Sequence, residues 1–217
     1  LREDRRHIQD RDILRLRRCV KGRFNLEMAA TTEMLAFARR LRPDEATLVP
    51  EKRRELTTEG GLKVQGGEAN VSAAVKVLKA RGITVSLFVT PDLAEIEASK
   101  AVGADTVELH TGAYGEAFKK SHTAAQRELK RLERAAARAH ALGLRVNLGH
   151  GLTYDNVGPV CGLSGVEDLN IGHNIIARAC LVGMPKAVKQ MLAAMKGGGR
   201  RRHPSDFREP LGISERP

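Results

Sequence analysis

Two apolar runs late in this sequence each end in glycine and histidine, a pattern that suits acid–base chemistry on an anionic substrate. GHG at residues 149–151 follows one run, and GH at residues 172–173 follows the next. An apolar run that ends in a tight glycine turn predicts a buried strand opening into a βα turn. Glycine lets backbone N–H groups approach a phosphate, and imidazole adds a donor. The pattern favours a paired phosphate site over the alternative of two ordinary turns.

Carboxylates stand at similar positions in two other predicted strands. Glu27 lies in FNLEM, and Glu108 lies two residues before His110 in TVELHT. Side chains two apart share one face of a strand, so Glu108 and His110 are predicted to point the same way. A hydrogen-bonded core pair is one interpretation. Their position at the carboxyl end of the strand favours the other, a catalytic acid–base pair.

Strand and helix patterns alternate along the chain, which predicts parallel βαβ units and an α/β fold. The closed form of such a chain is a (β/α)8 TIM-type barrel, and this sequence carries about six βα units, so the prediction is a barrel truncated at its N-terminus. A doubly wound open sheet is the alternative, but no GxGxxG follows the first strand. Strands are predicted at residues 24–29, 45–50, 84–89, 106–111, 146–148 and 169–173.

Length and charge constrain the domain organisation and the class of ligand. The chain has 217 residues, a formal net charge of +11 and only 3% aromatic residues. We expect one domain over residues 1–196 and a disordered basic tail over residues 197–217. The positive charge suits phosphorylated small molecules, whereas scarce aromatic rings disfavour nucleic-acid binding by base stacking.

Two polar segments are candidates for binding phosphorylated ligands. The glycine-rich stretch at residues 51–68 is predicted to be a lid, because a loop of that length in a compact domain is usually functional. The charged stretch at residues 1–12 holds Arg2, Arg5, Arg6 and His7, which are either a solvated surface or a phosphate clamp.

Cysteine usage and hydropathy indicate a cytoplasmic protein. Cys19, Cys161 and Cys180 are scattered without a CxxC motif, which is typical of free thiols in a reducing compartment. No signal peptide and no apolar run of transmembrane length is visible.

Several long motifs resemble the pyridoxine 5'-phosphate synthase family of vitamin B6 (pyridoxine) biosynthesis over residues 1 to about 196. The resemblance implies a (β/α)8 barrel that forms homo-oligomers, usually octamers. It implies a transferase-type synthase that condenses 1-deoxy-D-xylulose 5-phosphate with 3-amino-2-oxopropyl phosphate to pyridoxine 5'-phosphate, inorganic phosphate and water, without metal or organic cofactor. The motifs are RFNLEMA, LVPEKRRELTTEGGL, VSLFV, VELHTGAY, VNLGHGLTYDNV and LNIGHNIIARA.

The same resemblance implies roles for individual residues. Glu27 of NLEM is similar to the family's general base, His150 of GHG to its proton donor, and Glu108 of VELHTG to the residue that stabilises the transition state. The implied ligands of the deoxyxylulose phosphate are Arg2, His7 and Thr57. The implied ligands of the amino-ketone phosphate are Gly151, Gly172 and His173.

The sequence departs from the family at its beginning. The family's first strand carries an Asn, an Asp-His pair and a following Arg that bind substrate, and a catalytic His directly precedes the position of Leu1. These residues are absent from the printed chain. We therefore expect the printed chain to be inactive or nearly so.

Two other functions stay open on the sequence alone. The first is another phosphosugar isomerase or aldolase on the same barrel, for which Lys52 is the nearest candidate Schiff-base lysine. The second is a non-enzymatic remnant that binds phosphate ligands, or nucleic acid through its arginines.

Overall fold

A computed structural model describes residues 1–51 and 60–197. Contacts within the chain define two compact units. The first unit comprises Leu1–Gly151 and Ser164–Asn170, and the second comprises Leu152–Leu163 and Ile171–Pro217. The predicted tail lies outside the described residues from residue 198 onward, while Gly197 is the last residue of a helix. Residues 52–59 of the predicted lid also lie outside the described part.

The first unit is built on a six-stranded parallel sheet whose strands lie side by side in chain order. A doubly wound sheet reverses its strand order at a switch point, so this sequential order excludes the doubly wound alternative. The parallel α/β prediction is confirmed. The strands are β1 (Asn25–Ala29), β2 (Glu45–Val49), β3 (Thr84–Val89), β4 (Thr106–His110), β5 (Arg145–Gly149) and β6 (Val166–Asn170).

Helices connect successive strands, and two elements differ from the sequence prediction. The helix Gly112–Lys120 was not predicted, because its two glycines lower helix propensity. The last strand was predicted at residues 169–173 but occupies Val166–Asn170, since its Glu167 and Asp168 masked the strand pattern. The helices are α1 (Asp10–Cys19), α2 (Thr32–Leu41), α3 (Glu68–Lys79), α4 (Leu93–Ala101), α5 (Gly112–Lys120), α6 (His122–Ala141), α7 (Val157–Val160), α8 (His173–Val182) and α9 (Met184–Gly197).

The two faces of the sheet have opposite character. One face is apolar and packs against helices α2, α3, α4 and α6; it includes Leu26, Leu48, Leu87, Leu109 and Leu148, all at most 5% exposed. Strands buried on both faces are normally apolar throughout, but these strands alternate. The second face carries polar side chains, and the register places them in neighbouring rows: Glu27, Thr47, Ser86, Glu108 and Asn147.

Ion pairs across the polar face show that the sheet is strongly curved. The Arg145 guanidinium of β5 donates to the Glu45 carboxylate of β2 at 3.3 Å, although β3 and β4 lie between these strands. Arg23, just before β1, pairs with Asp168 of β6, the strand at the other edge. Side chains of non-adjacent strands meet only where a sheet curls around its own inner face, as in a barrel. The polar face is therefore an interior, which confirms the barrel-type fold class.

Removal of Arg145 should destabilise the first unit. The Glu45 side chain is 1% exposed and has Arg145 at 3.3 Å and Arg23 at 3.8 Å. Because Arg145→Met leaves a buried carboxylate poorly paired, we expect the free energy of unfolding to fall by about 2–4 kcal/mol. Urea denaturation measures this.

The matched control for that change is Arg138→Met, which breaks the ion pair between Arg138 and Glu97. The side chains of these two residues are 43% and 53% exposed, respectively. Exposed pairs contribute little, so we expect a loss below about 1 kcal/mol. The double variant Glu45→Gln/Arg145→Met should recover part of the loss. Equal losses for Arg145→Met and Arg138→Met would contradict the interior ion pair.

The second unit contains α7, α8 and α9. The Tyr154 hydroxyl donates to the Ala187 carbonyl at 3.0 Å, and the Tyr154 N–H donates to the Asn174 side-chain oxygen at 3.2 Å. The helices α8 and α9 are joined further by Arg178 and Gln190, whose side chains hydrogen-bond at 2.9 Å. Of the helices in the described ranges, none combines the length and the apolar character needed to span a membrane.

Candidate active site

The candidate catalytic residues of the first unit stand on β1, β4 and the turn after β5. Glu27 lies on β1, Glu108 on β4, and His150 directly follows β5. Glu108 is 3% exposed, whereas Glu27 and His150 are exposed. By register, Glu27 and Glu108 both lie on the polar inner face of the sheet, and the charge of Glu27 adds to the effect of burial in raising the pKa of Glu108. One buried carboxyl near an exposed carboxylate is an arrangement that separates an acid from a base.

Glu108 is held by a residue that sequence reasoning missed. The Asn170 side-chain N–H at the end of β6 donates to Glu108 Oε2 at 2.7 Å. β5 lies between these strands, and its residue in register with Asn170 is Gly149. Glycine leaves no side chain in that row, so Asn170 reaches across β5 to Glu108. The sequence contains one indication of this role. Asp168 and Asn170 are two residues apart, so both lie on the inner face of the sheet once β6 is placed at Val166–Asn170.

Burial keeps Glu108 and His110 both uncharged near neutral pH. Desolvation and the charge of Glu27 raise the pKa of Glu108 to about 8, although the hydrogen bond from Asn170 opposes this. Desolvation and neighbouring His150 lower the pKa of His110 to about 4. Glu108 is thus a carboxylic acid that donates a proton or hydrogen bond, and His110 is a neutral imidazole. The predicted acid–base pairing of these two residues stays a prediction.

The His110 ring has a fixed orientation beside His150. The N–H of Gly112 donates to His110 Nδ1 at 3.1 Å, so the neutral ring carries its proton on Nε2. The His110 ring centroid lies 4.6 Å from that of His150 and 5.1 Å from that of Phe88. His150 itself has φ +74°, in the left-handed region that few non-glycine residues adopt. The surrounding contacts must therefore hold the turn in place.

A methyl group at position 149 should disturb the Glu108 site. A Cβ built on Gly149 would overlap Glu108 Oε1. The Glu108 carboxyl group is buried, and its other oxygen, Oε2, accepts a hydrogen bond from Asn170. We expect Gly149→Ala to displace the carboxyl group, break the Asn170 hydrogen bond and lower the free energy of unfolding by about 1–3 kcal/mol. Chemical denaturation measures this.

Gly22→Ala is the control for Gly149→Ala, because a Cβ at Gly22 meets no atom within 4 Å. We expect it to change the free energy of unfolding by less than about 0.5 kcal/mol. If Gly149→Ala lowered the free energy of unfolding no more than Gly22→Ala does, Glu108 would not be confined as described.

Of the N-terminal cations proposed as a phosphate clamp, two are already paired with carboxylates. Arg5 pairs with Asp10 at 2.6 Å and also with Glu33, and Arg6 pairs with Asp4 at 2.8 Å. The Arg2 Nε is buried and has no hydrogen-bond partner among the described residues. Arg2 is therefore the cation of this segment best suited to an anionic ligand. His7 is exposed.

The N-terminus lies against the strand that carries Glu27. The Leu1 amino group donates to the Glu27 carbonyl, and the Ala29 N–H donates to the Leu1 carbonyl at 3.1 Å. Leu1 thus pairs with the edge of β1, and the Glu27 charge also acts on Arg2. The segment places Arg2 near the candidate general base.

The described part of the predicted lid is anchored. The N–H of Leu62 donates to the Phe88 carbonyl at 2.7 Å, and the N–H groups of Val64 and Gln65 donate to Glu95 at 2.8 and 3.1 Å. A Cβ on Gly61 would lie 2.6 Å from the Thr90 nitrogen, so glycine permits this approach to the end of β3. Thr57, predicted to bind substrate, and Lys52, the alternative Schiff-base lysine, lie outside the described residues.

The three residues predicted to bind the amino-ketone phosphate are divided between the two units. Gly151 belongs to the first unit and has φ +74°. Gly172 and His173 belong to the second unit, where Gly172 is the N-cap of α8 and His173 its first residue. The first turn of α8 contains no acidic residue, and its N-cap glycine has no side chain that could accept from the first N–H groups of the helix. The N–H groups of the first turn of α8 are thus suited to donate hydrogen bonds to an anion.

A protein-family model matches residues 1–197 of the chain, and that family is described as Pyridoxal phosphate biosynthesis protein PdxJ. The chain belongs to the PdxJ family. Proteins named pyridoxine 5'-phosphate synthase are similar over most of the chain. The protein from Synechococcus sp. strain JA-2-3B'a(2-13) is 57% identical over 90% of this chain and 81% of its own length. The protein from Nostoc punctiforme is 55% identical over 92% of this chain and 82% of its own length.

Solved structures support the fold of this PdxJ-family chain. KGPDC from Streptococcus mutans, in complex with D-R5P, matches with a TM-score of 0.59 at 14% identity, covering 85% of this chain and 78% of that one. GMP reductase from Trypanosoma brucei matches with a TM-score of 0.55 at 15% identity, covering 80% and 40%. At such identities the likeness shows the barrel-type α/β architecture alone. The family assignment itself confirms the resemblance found in the sequence motifs.

Proposed function

We propose that this chain is a pyridoxine 5'-phosphate synthase that condenses 1-deoxy-D-xylulose 5-phosphate with 3-amino-2-oxopropyl phosphate. The products are pyridoxine 5'-phosphate, inorganic phosphate and water. PdxJ membership supports the proposal together with one observation in the structure. A buried carboxyl group whose pKa is raised to about 8, Glu108, lies on the same inner face of the sheet as the exposed carboxylate of Glu27. The condensation needs both an acid and a base at neutral pH, and this pair supplies them.

The proton transfers of the reaction are divided among three side chains. Glu27 is exposed and removes protons as the amine attacks the ketone and as the ring closes. Protonated Glu108 donates a hydrogen bond to oxygen atoms on which negative charge develops. His150 is exposed at the mouth of the turn after β5 and protonates the leaving hydroxyl or phosphate oxygen. These roles agree with the burial of each group.

The two phosphate groups of the substrates require separate cationic or N–H-rich sites. We assign Arg2, His7 and Thr57 to 1-deoxy-D-xylulose 5-phosphate. The buried Nε of Arg2, which has no hydrogen-bond partner within residues 1–51 and 60–197, supports this. We assign Gly151, Gly172 and His173 to 3-amino-2-oxopropyl phosphate. The positive φ of Gly151 and the uncapped start of α8 support the second assignment.

We further propose that the protein is cytoplasmic and forms homo-oligomers, octamers by the family pattern. Cys19, Cys161 and Cys180 are all free thiols, as in a reducing compartment. The helices α8 and α9 expose apolar side chains, which suits a surface that self-associates. These are Ile176, Leu181, Met184, Val188 and Leu192. Light scattering coupled to size-exclusion chromatography tests the assembly, and a monomer at micromolar concentration would contradict it.

The proposed function is tested by chromatographic detection of pyridoxine 5'-phosphate with both substrates and with either one omitted. The assay uses the printed chain and an extended form with the N-terminal segment of the Synechococcus relative ahead of Leu1. We expect product from the extended form only when both substrates are present. A folded extended form that yields no product would contradict the assignment.

A further inference from the structure

Thr111, the residue directly after β4, occupies the N-cap position of α5 without capping that helix. A threonine at an N-cap normally accepts a hydrogen bond from a backbone N–H of the first turn. Here the side chain makes no such bond. The hydroxyl instead lies 2.8 Å from the Gly149 carbonyl and also donates to the His150 carbonyl. The hydroxyl is thus directed at the turn that carries the proposed acid.

The backbone of Thr111 makes a second connection to the same turn. Its N–H donates to the Gly149 carbonyl at 2.8 Å. Thr111 is 0% exposed, so water does not compete for these bonds. The His150 backbone has φ +74°, which costs about 1–2 kcal/mol for a residue with a Cβ. A strained turn persists when its neighbours fix it, and Thr111 holds the carbonyls on both sides of the His150 nitrogen and Cα.

Glycines bring the two segments close enough for this contact. A Cβ on Gly151 would lie 3.2 Å from the Gly112 Cα, and a Cβ on Gly115 would lie 2.7 Å from the Gly151 carbonyl oxygen. The start of α5 is therefore packed directly on the turn. Thr111 supplies the polar contact of that packing, and its hydroxyl is the group that reaches the carbonyl of His150 itself.

We propose that Thr111 is a positioning residue for His150 in the ring-forming reaction, acting through its hydroxyl on the Gly149 and His150 carbonyls. The proposal rests on the proposed function for the role of His150. Thr111 is 0% exposed and its hydroxyl is directed at backbone carbonyls, so in this role it acts through the turn and not on the substrate. It fixes the backbone from which the imidazole projects. Loss of the hydroxyl should therefore affect the chemical step more than substrate binding.

The kinetic test compares Thr111→Val and Thr111→Ser with the unsubstituted enzyme, in whichever of the printed and extended forms makes product. Misplacement of a catalytic group by about 1 Å costs up to about 100-fold. We expect Thr111→Val to lower kcat about 10- to 100-fold with KM within about threefold, and Thr111→Ser to stay within about threefold of the unsubstituted kcat. Thr111→Ala replaces the valine variant if that variant does not fold.

Thr106→Val is the matched control. Thr106 lies on the same strand, is also 0% exposed, and its hydroxyl has no hydrogen-bond partner among the described residues. Removal of an unpaired buried hydroxyl should leave kcat within about threefold and stability unchanged or improved. A kcat for Thr111→Val equal to that of Thr106→Val would overturn the proposal.

A second readout separates this proposal from the proposed function. The backbone Cα and Cβ chemical shifts of His150 report its φ by NMR, whether or not product forms. We expect His150 chemical shifts typical of the left-handed region in the unsubstituted protein and in Thr111→Ser, and different His150 shifts in Thr111→Val. Unchanged His150 shifts in Thr111→Val would overturn the positioning role even if kcat falls. Absence of product from the unsubstituted protein would count against the proposed function, and the shifts alone would then decide on Thr111.

Discussion

Glu108→Gln should make the protein more stable than the unsubstituted chain as pH rises, and it should remove most of the activity of whichever form, printed or extended, makes product. Burial raises the pKa of Glu108 from 4.5 to about 8, so the folded state retains this proton between those values and the unfolded state loses it. The folded state binds more protons, and its stability therefore falls as pH rises from about 4.5 to about 8. Glutamine is neutral at every pH and keeps an oxygen that can accept from Asn170, so the variant does not lose this stability as pH rises.

The quantity to measure is the difference in free energy of unfolding between Glu108→Gln and the unsubstituted chain across pH 5–9. We expect it to grow in favour of the variant by about 1 kcal/mol per pH unit up to about pH 8 and then to level off. His110 and the Leu1 amino group, whose pKa values are lowered to about 4 and about 6, titrate in both proteins and cancel in the difference. A pH-independent difference would contradict the buried, uncharged Glu108.

The activity of Glu108→Gln separates function from stability. We expect kcat to fall by about 100-fold or more, because an amide is a poorer donor to developing negative charge than a carboxylic acid. Glu116→Gln, on the exposed side of α5, is the control and should change neither activity nor the pH dependence of stability across pH 5–9. Full activity in a stabilised Glu108→Gln would refute the role assigned to Glu108.

His150→Asn should have the other large effect on turnover, measured in whichever of the printed and extended forms makes product. Asparagine tolerates φ +74° better than most residues, so the turn should persist without its imidazole. Removal of a general acid typically costs about 100- to 10,000-fold, so we expect kcat to fall in that range with stability changed by less than about 1 kcal/mol. Steady-state kinetics and thermal denaturation measure the two quantities.

His122→Asn is the control for His150→Asn, since His122 is exposed at the start of α6. It removes an imidazole of the same chain without touching the turn after β5, and we expect unchanged turnover. If His150→Asn retained more than about a tenth of the original kcat, the assignment of His150 as proton donor would be wrong.

The fold class followed from the sequence because strand and helix patterns alternate along the chain, and some strands also alternate polar and apolar residues. In TVELH the outward Val107 and Leu109 face helices, while Glu108 faces the interior. β6 was misplaced because VEDLN is too polar to stand out as a strand. The helix α5 was missed because Gly112 and Gly115 are poor helix formers, and they are needed there for close contact with the turn after β5.

The site was only partly accessible to sequence reasoning. Motif resemblance proposed Glu27, Glu108 and His150 as site residues, and all three lie in the first unit. It missed Asn170, whose contact with Glu108 depends on the missing side chain at Gly149, and Thr111, whose role depends on the direction of one hydroxyl. Such contacts join residues of non-adjacent strands or segments far apart in the chain, and neither periodicity nor spacing encodes them.

The central claim is that one set of inner-face residues closes the pyridoxine ring with loss of phosphate. The measurement that tests it most directly is the ratio of inorganic phosphate to pyridoxine 5'-phosphate released by the extended form, beside its Glu27→Gln variant. The account predicts equal amounts of both products, and neither product from the variant. Phosphate release without pyridoxine 5'-phosphate, or full product from Glu27→Gln, would contradict it.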